Sequence, residues 1–178
     1  MDRIEINVGG RDFVFSVKFE HDADAGTPWE NSDGHGPVSD WTTRGKRPGE
    51  LVLNTSRHGK RYYDFAEAVR MAMRESWDTE PYNTDQRMTR KQQAARAARA
   101  DYEYLRSWCN DAWEYVGVIV TLLDEDGEET SISDSLWSVE TLGDYHHEQA
   151  RLIADELACG FGVRWDRKPV TKEQYVWM

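Results

Sequence analysis

Residues 116–123 read Val-Gly-Val-Ile-Val-Thr-Leu-Leu, and no other stretch limits the fold so strongly. β-Branched side chains are stiff in a helix and pack well on a pleated surface. A short run that is apolar at both odd and even positions needs cover on both faces, which is the place of a central strand. The acidic turn Asp124-Glu125-Asp126-Gly127-Glu128-Glu129 follows it and predicts a return strand near 131–138.

The chain opens with the same logic in its half-buried form. Ile4, Ile6 and Val8 alternate with polar residues, Gly9-Gly10 intervenes, and Phe13, Phe15, Val17 and Phe19 alternate again. Glycines supply the positive φ of a tight turn, so this reads as a hairpin. Residues 21–49 keep no period and are rich in Gly, Asp, Ser, Thr and Pro. They read as a long irregular loop, with Trp29 and Trp41 docking parts of it. Residues 51–53 read as a short strand.

Helical spacing enters at 64–77, where Phe65, Ala68, Val69, Ala72, Met73 and Trp77 recur at threes and fours and Asp64 stands as N-cap. A longer helix is predicted over 85–111, from Met88, Ala95, Ala98, Tyr102, Leu105 and Cys109. A third is predicted over 145–159, ended by Gly160 and Gly162, with a last short strand at 163–165. Strands and helices are grouped instead of alternating. The expectation is therefore α+β: a small antiparallel sheet with about three helices on one face, in one domain over 1–178. Eight Trp, eight Tyr and five Phe supply the core and argue against disorder.

Charge is the most uneven feature. The net charge is −11. Residues 1–60 hold 8 Lys/Arg against 10 Asp/Glu, 61–113 hold 9 against 9, and 114–178 hold 5 against 14. Within 114–156, Arg151 alone stands against 12 acids. A surface of this kind presents carboxylates to a basic partner and steers its approach. Glu125, Asp126, Glu128, Glu129, Asp134 and Glu140 are the residues predicted to bind, as surrogate phosphates.

Other constellations fail on their chemistry. His147-Glu148-Gln149-Ala150-Arg151 approaches the H-E-x-x-H zinc motif, but Arg151 occupies the place of the second imidazole. Counted from Asp124 as an EF-hand loop, position 12 is Ser135 and position 6 is Glu129, where Glu and Gly are needed. No nucleophile elbow or phosphate loop is present, and Cys109 falls on the apolar stripe of its helix. The reading is therefore no enzyme, no cofactor and no metal. Cys109 and Cys159 are expected as free, partly buried thiols in a reducing compartment. Met1-Asp2-Arg3-Ile4-Glu5 has no apolar h-region, so no secretory signal is expected, and no apolar run reaches membrane-spanning length.

One further strip is basic: Arg44, Lys46, Arg47, Arg57, Lys60 and Arg61, with Trp41, Tyr62 and Tyr63 beside them. Cations for phosphate and rings for stacking make it an alternative, direct nucleic-acid surface, extended by the basic half of the 85–111 helix.

The text at Trp108-Cys109-Asn110-Asp111-Ala112-Trp113-Glu114-Tyr115-Val116-Gly117-Val118, with Asp134-Ser135-Leu136-Trp137-Ser138-Val139-Glu140 and Gly143-Asp144-Tyr145, resembles small bacteriophage or prophage accessory proteins over about 60–158. The resemblance carries no catalytic residues. It implies a setting, the host bacterial cytoplasm. It also implies a class of role, the inhibition of host defence systems by DNA mimics and anti-CRISPR proteins. The expected function is a phage-encoded, non-enzymatic protein whose acidic face blocks a basic nucleic-acid-binding surface of a host defence complex.

Overall fold

The computed structural model describes residues 2–32, 34–77 and 88–165, with side chains to residue 160. The fold is α+β, with seven strands in two antiparallel sheets and four helices among the described residues. The chain gathers into two compact units. Unit 1 is Met1–Ala25 with Glu114–Met178, and unit 2 is Gly26–Trp113. The physical basis is two apolar clusters that share no residue.

Unit 1 begins with β1 (Asp2–Val8) and β2 (Arg11–His21). They pair antiparallel through Gly9 and Gly10, with φ of 61° and 83°. Both central residues of this two-residue turn thus need positive φ, which glycine adopts at no steric cost. β6 (Tyr115–Leu123) lies beside β2, and β7 (Glu129–Glu140) lies outside β6, so the order is β1-β2-β6-β7. Strands β2 and β6 are direct neighbours although all of unit 2 separates them in sequence. Asp22 N–H donates to the Tyr115 carbonyl at 3.0 Å where the two strands part.

Helix α4 (Tyr145–Trp165) packs on one face of this sheet. It presents small residues, Ala150, Ala154 and Ala158, with Ile153, to Phe13, Phe15, Val17, Val118 and Val120. Small residues on the helix let it approach closely, and the β2 phenylalanines fill the space. The helix does not end at Gly160 and Gly162, and 163–165 is helical instead of a strand. A glycine stops a helix where it turns left-handed, and Gly160 has no positive φ.

Gly117 has a different task. A Cβ there would stand 2.5 Å from Cε3 of Trp137, so the glycine lets the indole lie flat on the open face of the sheet, opposite α4.

Unit 2 contains α1 (Pro28–Asn31), β3 (Val38–Trp41), β4 (Glu50–Thr55), β5 (Lys60–Asp64), α2 (Phe65–Glu75) and α3 (Arg90–Cys109). The sheet order is β3-β5-β4. The 21–49 stretch is therefore not an unbroken loop: it holds the end of β2, one helical turn and a strand. Asp64 caps α2 by accepting from Glu67 N at 2.9 Å, as its position predicts. Thr89 and Gln92 form a capping box at the start of α3, and residues 85–87 of the helix expected over 85–111 lie outside the described residues. Leu53, Tyr63, Ala68, Ala98, Tyr102, Leu105 and Cys109 form the core.

One corner of unit 2 is held by charge. Arg44 makes a two-pronged pair with Glu50, Nη1 to Oε2 and Nη2 to Oε1, both at 2.7 Å. Glu50 also accepts from Arg47 N at 2.7 Å. The Arg44 hydrogen bond holds the Glu50 carboxyl down at about 2, against an ordinary 4.5. A depressed carboxylate contributes stability that is complete above its unfolded value and lost as pH falls through its folded value. Amide protection over 38–50 should therefore be flat above pH 4.5 and decline toward pH 2. Glu50→Gln should show the loss already at neutral pH. Hydrogen exchange across that range checks it.

Candidate interaction surface

The β6–β7 turn is built by its first acid. Asp124 Oδ1 accepts from Asp126 N and Glu128 N, both at 3.0 Å, and Gly127 takes φ of 82°. Because Asp124 spends its carboxylate on the backbone, Glu125, Asp126 and Glu128 are turned outward, and all three are exposed. Asp134 is exposed on β7, with Oδ1 receiving Ser135 N at 2.8 Å. None of these four forms an ion pair with a described residue.

The other two differ. Glu129 accepts from Lys18 Nζ and from Ser16 Oγ, each at 2.7 Å. Those two bonds, the lysine's first, hold its carboxyl below the usual range. It is a sheet contact, not an open charge. Glu140 is half-buried at the far end of β7, opposite Tyr115. A strand rises about 3.3 Å per residue, so Glu140 and the turn are roughly 35 Å apart along β7. The six residues do not make one patch. Glu125, Asp126 and Glu128 come together, Asp134 extends them along the strand, and Glu140 belongs to the opposite end.

At that opposite end the fold collects acids from distant sequence. His21 Nδ1 lies 2.6 Å from Glu114 Oε2. Asp22 Oδ2 accepts both Ser138 N and Ser138 Oγ, at 2.9 and 3.2 Å, and holds Ser138 at a φ of 59°. The β2–β6 pairing creates this cluster, and no local signal announces it.

Charge divides by unit. Unit 1 holds 8 Lys/Arg against 20 Asp/Glu, a balance of −12. Unit 2 holds 14 against 13, a balance of +1.

Two of the six cations of the basic strip in unit 2, Arg44 and Arg61, are committed to structure. Arg44 is bound to Glu50 and lies 4.2 Å from the Trp41 ring centroid and 4.9 Å from that of Tyr62. Arg61 grips Asp40 through Nε and Nη2, at 2.7 and 2.8 Å, and lies over Trp29 at 4.6 Å. The Arg61 hydrogen bond pulls the Asp40 carboxyl below its usual range. Tyr62 and Tyr63 are buried, so their rings are closed to stacking. Lys46, Arg47, Arg57 and Lys60 are exposed. On α3, Arg90 donates to the Met73 carbonyl and Arg99 lies over Phe65 and Tyr102, while Arg87 lies outside the described residues.

Cys109 is buried, and burial pushes its thiol up, the reverse of an activated nucleophile. Cys159 is exposed, where a partly buried thiol is expected. The His146 and His147 rings stand 4.1 Å apart and both meet Phe19 edge-on. Burial first, then His147, lowers the His146 imidazole below its ordinary value. Among the described residues no three His, Cys, Asp or Glu side chains converge to hold a metal ion.

Two features of the surface escape sequence reading. Leu136 and Trp137 are adjacent on β7 and so point to opposite faces, yet both stay exposed, at 42% and 47%. Two large apolar neighbours within a serine-rich strand are the available signal, since alternation would bury one of them. Comparison with protein families, with curated proteins and with solved structures finds no match to this chain.

Proposed function

We propose that the protein is a non-enzymatic binding protein whose acidic unit occupies a basic, nucleic-acid-binding surface of another protein. The observation that carries this is the division of charge, −12 in unit 1 against +1 in unit 2, with Glu125, Asp126, Glu128 and Asp134 held outward and free of ion pairs to described residues. Carboxylates on a turn and a paired strand are fixed in place. They lose less freedom on docking than those of a loose tail, and they accelerate encounter with a cationic partner. The resemblance to phage accessory proteins supports a phage-encoded inhibitor of a host defence complex, acting in the bacterial cytoplasm. Direct nucleic-acid binding through 44–61 is the weaker reading, because Arg44 and Arg61 already serve Glu50 and Asp40.

The test compares three proteins as bait in a bacterial lysate: the wild type, Glu125→Lys/Asp126→Lys/Glu128→Lys/Asp134→Lys, and Lys46→Glu/Arg57→Glu/Lys60→Glu. The wild type and the basic-strip variant should retain the same partner, and the acidic variant should lose it. The wild type should compete duplex DNA or RNA off that partner and bind neither alone. Retention by the acidic variant with loss by the basic variant, or direct salt-dependent binding of nucleic acid, would overturn the reading.

A further inference from the structure

In unit 1, among the described residues, β7 pairs with β6 alone and is the outer strand of its sheet. Between its two register shifts it runs in regular pairing, Ser133↔Thr121, Asp134↔Val120, Ser135↔Ile119 and Leu136↔Val118. An edge strand packed against a helix ordinarily buries one face. Here all six residues from Ser133 to Ser138 are exposed, although their β6 partners Val118, Val120 and Thr121 are buried. Backbone pairing to β6 therefore holds 133–136 in place with little cover from side chains, while 137 and 138 lie in the register shift and Asp22 Oδ2 accepts from Ser138 N and Oγ.

Such an edge presents a row of backbone donors and acceptors, of which Ser135 N already goes to Asp134 Oδ1 at 2.8 Å, and natural proteins blunt it with charged side chains, proline or bulges. β7 contains no proline and no lysine, and its shifts flank the 133–136 run without entering it. Asp134 and Leu136 share the α4 face, since they pair with Val120 and Val118. Trp137 lies on the other face, over Gly117. One more strand would give each exposed apolar side chain a cross-strand neighbour on its own face. We infer that the outer edge of β7 takes an extended, basic segment of a partner protein as a fifth strand of this sheet.

The sign of the occupant comes from charge complementarity and rests on the acidic-surface reading. A second copy would bring two units of −12 together and place each Asp134 near acids of its twin. A basic segment instead sets a cation by Asp134 and another over the Trp137 ring, where cation–π attraction adds to pairing. Main-chain hydrogen bonds give such binding its affinity and alternate side chains its specificity.

The probe is a labelled ten-residue peptide alternating Lys with Thr and Val, beside an analogue of equal charge N-methylated at its six central amides. The full-length protein should bind the parent peptide with a salt-dependent affinity at least about tenfold tighter than the analogue. Binding should protect backbone amides within 131–138 from exchange. Leu136→Ala/Trp137→Ala should weaken the parent peptide and leave the fold intact, because both side chains are exposed. Equal affinity for the two peptides would overturn strand addition while leaving the acidic-surface reading in place. Tight binding of the parent alone that ignores salt would support strand addition and count against the acidic surface. Failure to bind the parent peptide, or a concentration-dependent dimer protected at 131–138, would overturn the inference.

Discussion

Asp101→Ala should cost unit 2 on the order of 3 kcal/mol, a large part of the 5–15 kcal/mol of a typical domain. One carboxylate holds three groups. Oδ1 accepts from His35 Nδ1 at 2.6 Å, and Oδ2 accepts from Gly36 N at 2.8 Å and from Tyr63 OH at 2.6 Å. The Asp101 side chain is 9% exposed and Tyr63 is fully buried, so water does not readily replace a lost acceptor. Truncation leaves the Gly36 N–H and the His35 Nδ1–H without it, at about 1–3 kcal/mol per abandoned buried group. Tyr63 OH keeps the Ala98 carbonyl at 3.1 Å, which limits the loss.

Asp101→Asn separates geometry from charge. Its amide oxygen can stand where Oδ2 accepts from Gly36 and Tyr63, and its NH2 then faces His35 Nδ1, which must turn acceptor by changing tautomer. The asparagine variant should therefore lose only about 1 kcal/mol. Urea unfolding of the three proteins checks the order. If asparagine costs as much as alanine, charge and not hydrogen-bond count holds the network.

This network also shows what sequence reading reaches. Asp101 sits within a predicted helix and His35 in a predicted loop, 66 residues apart, and nothing in either neighbourhood signals the other. Local signals did carry their own elements. Gly9-Gly10 specified the β1–β2 turn, the 116–123 run became buried β6, and Asp64 capped α2. What failed was long-range. β5 (Lys-Arg-Tyr-Tyr-Asp) has polar ends and a buried Tyr62-Tyr63 centre, which gives no two-residue period to recognise. The strand at 38–41 exists because β5 supplies its ladder, not because Val-Ser-Asp-Trp favours one.

The candidate surface was legible in the same partial way. A count of charges marks 114–156, and the turn sequence marks Glu125, Asp126 and Glu128 as exposed. A count does not tell which carboxylates the fold uses internally. Glu129 is taken by Lys18 and Ser16 because β2 and β7 flank β6 with those side chains on one face. The exposure of both faces of 133–138 depends on where α4 lies, a property of packing alone.

Phe15→Ala should cost unit 1 on the order of 4 kcal/mol, and the acidic surface should be lost with it. Phe15 is fully buried, stands opposite Ile4 on β1 and Leu122 on β6, and belongs to the cluster under α4. The helix side of that cluster is mostly alanine, so the helix offers few large side chains to fill the space, and the cavity term adds to the lost transfer energy. Unit 1 is also a poor host for a cavity. Its balance of −12 sets carboxylates against one another, and self-repulsion opposes the compact state. Added salt should therefore stabilise Phe15→Ala, because it screens that repulsion. Phe15→Leu, which keeps much of the volume, should cost less than about 1.5 kcal/mol. Urea unfolding at low and high salt, with amide exchange over 115–140 as the local probe, measures both effects. A cost below about 1 kcal/mol for alanine would mean that α4 settles onto the sheet and closes the cavity. The helix would then be a mobile cover, and β6–β7 pairing alone would hold the acidic turn.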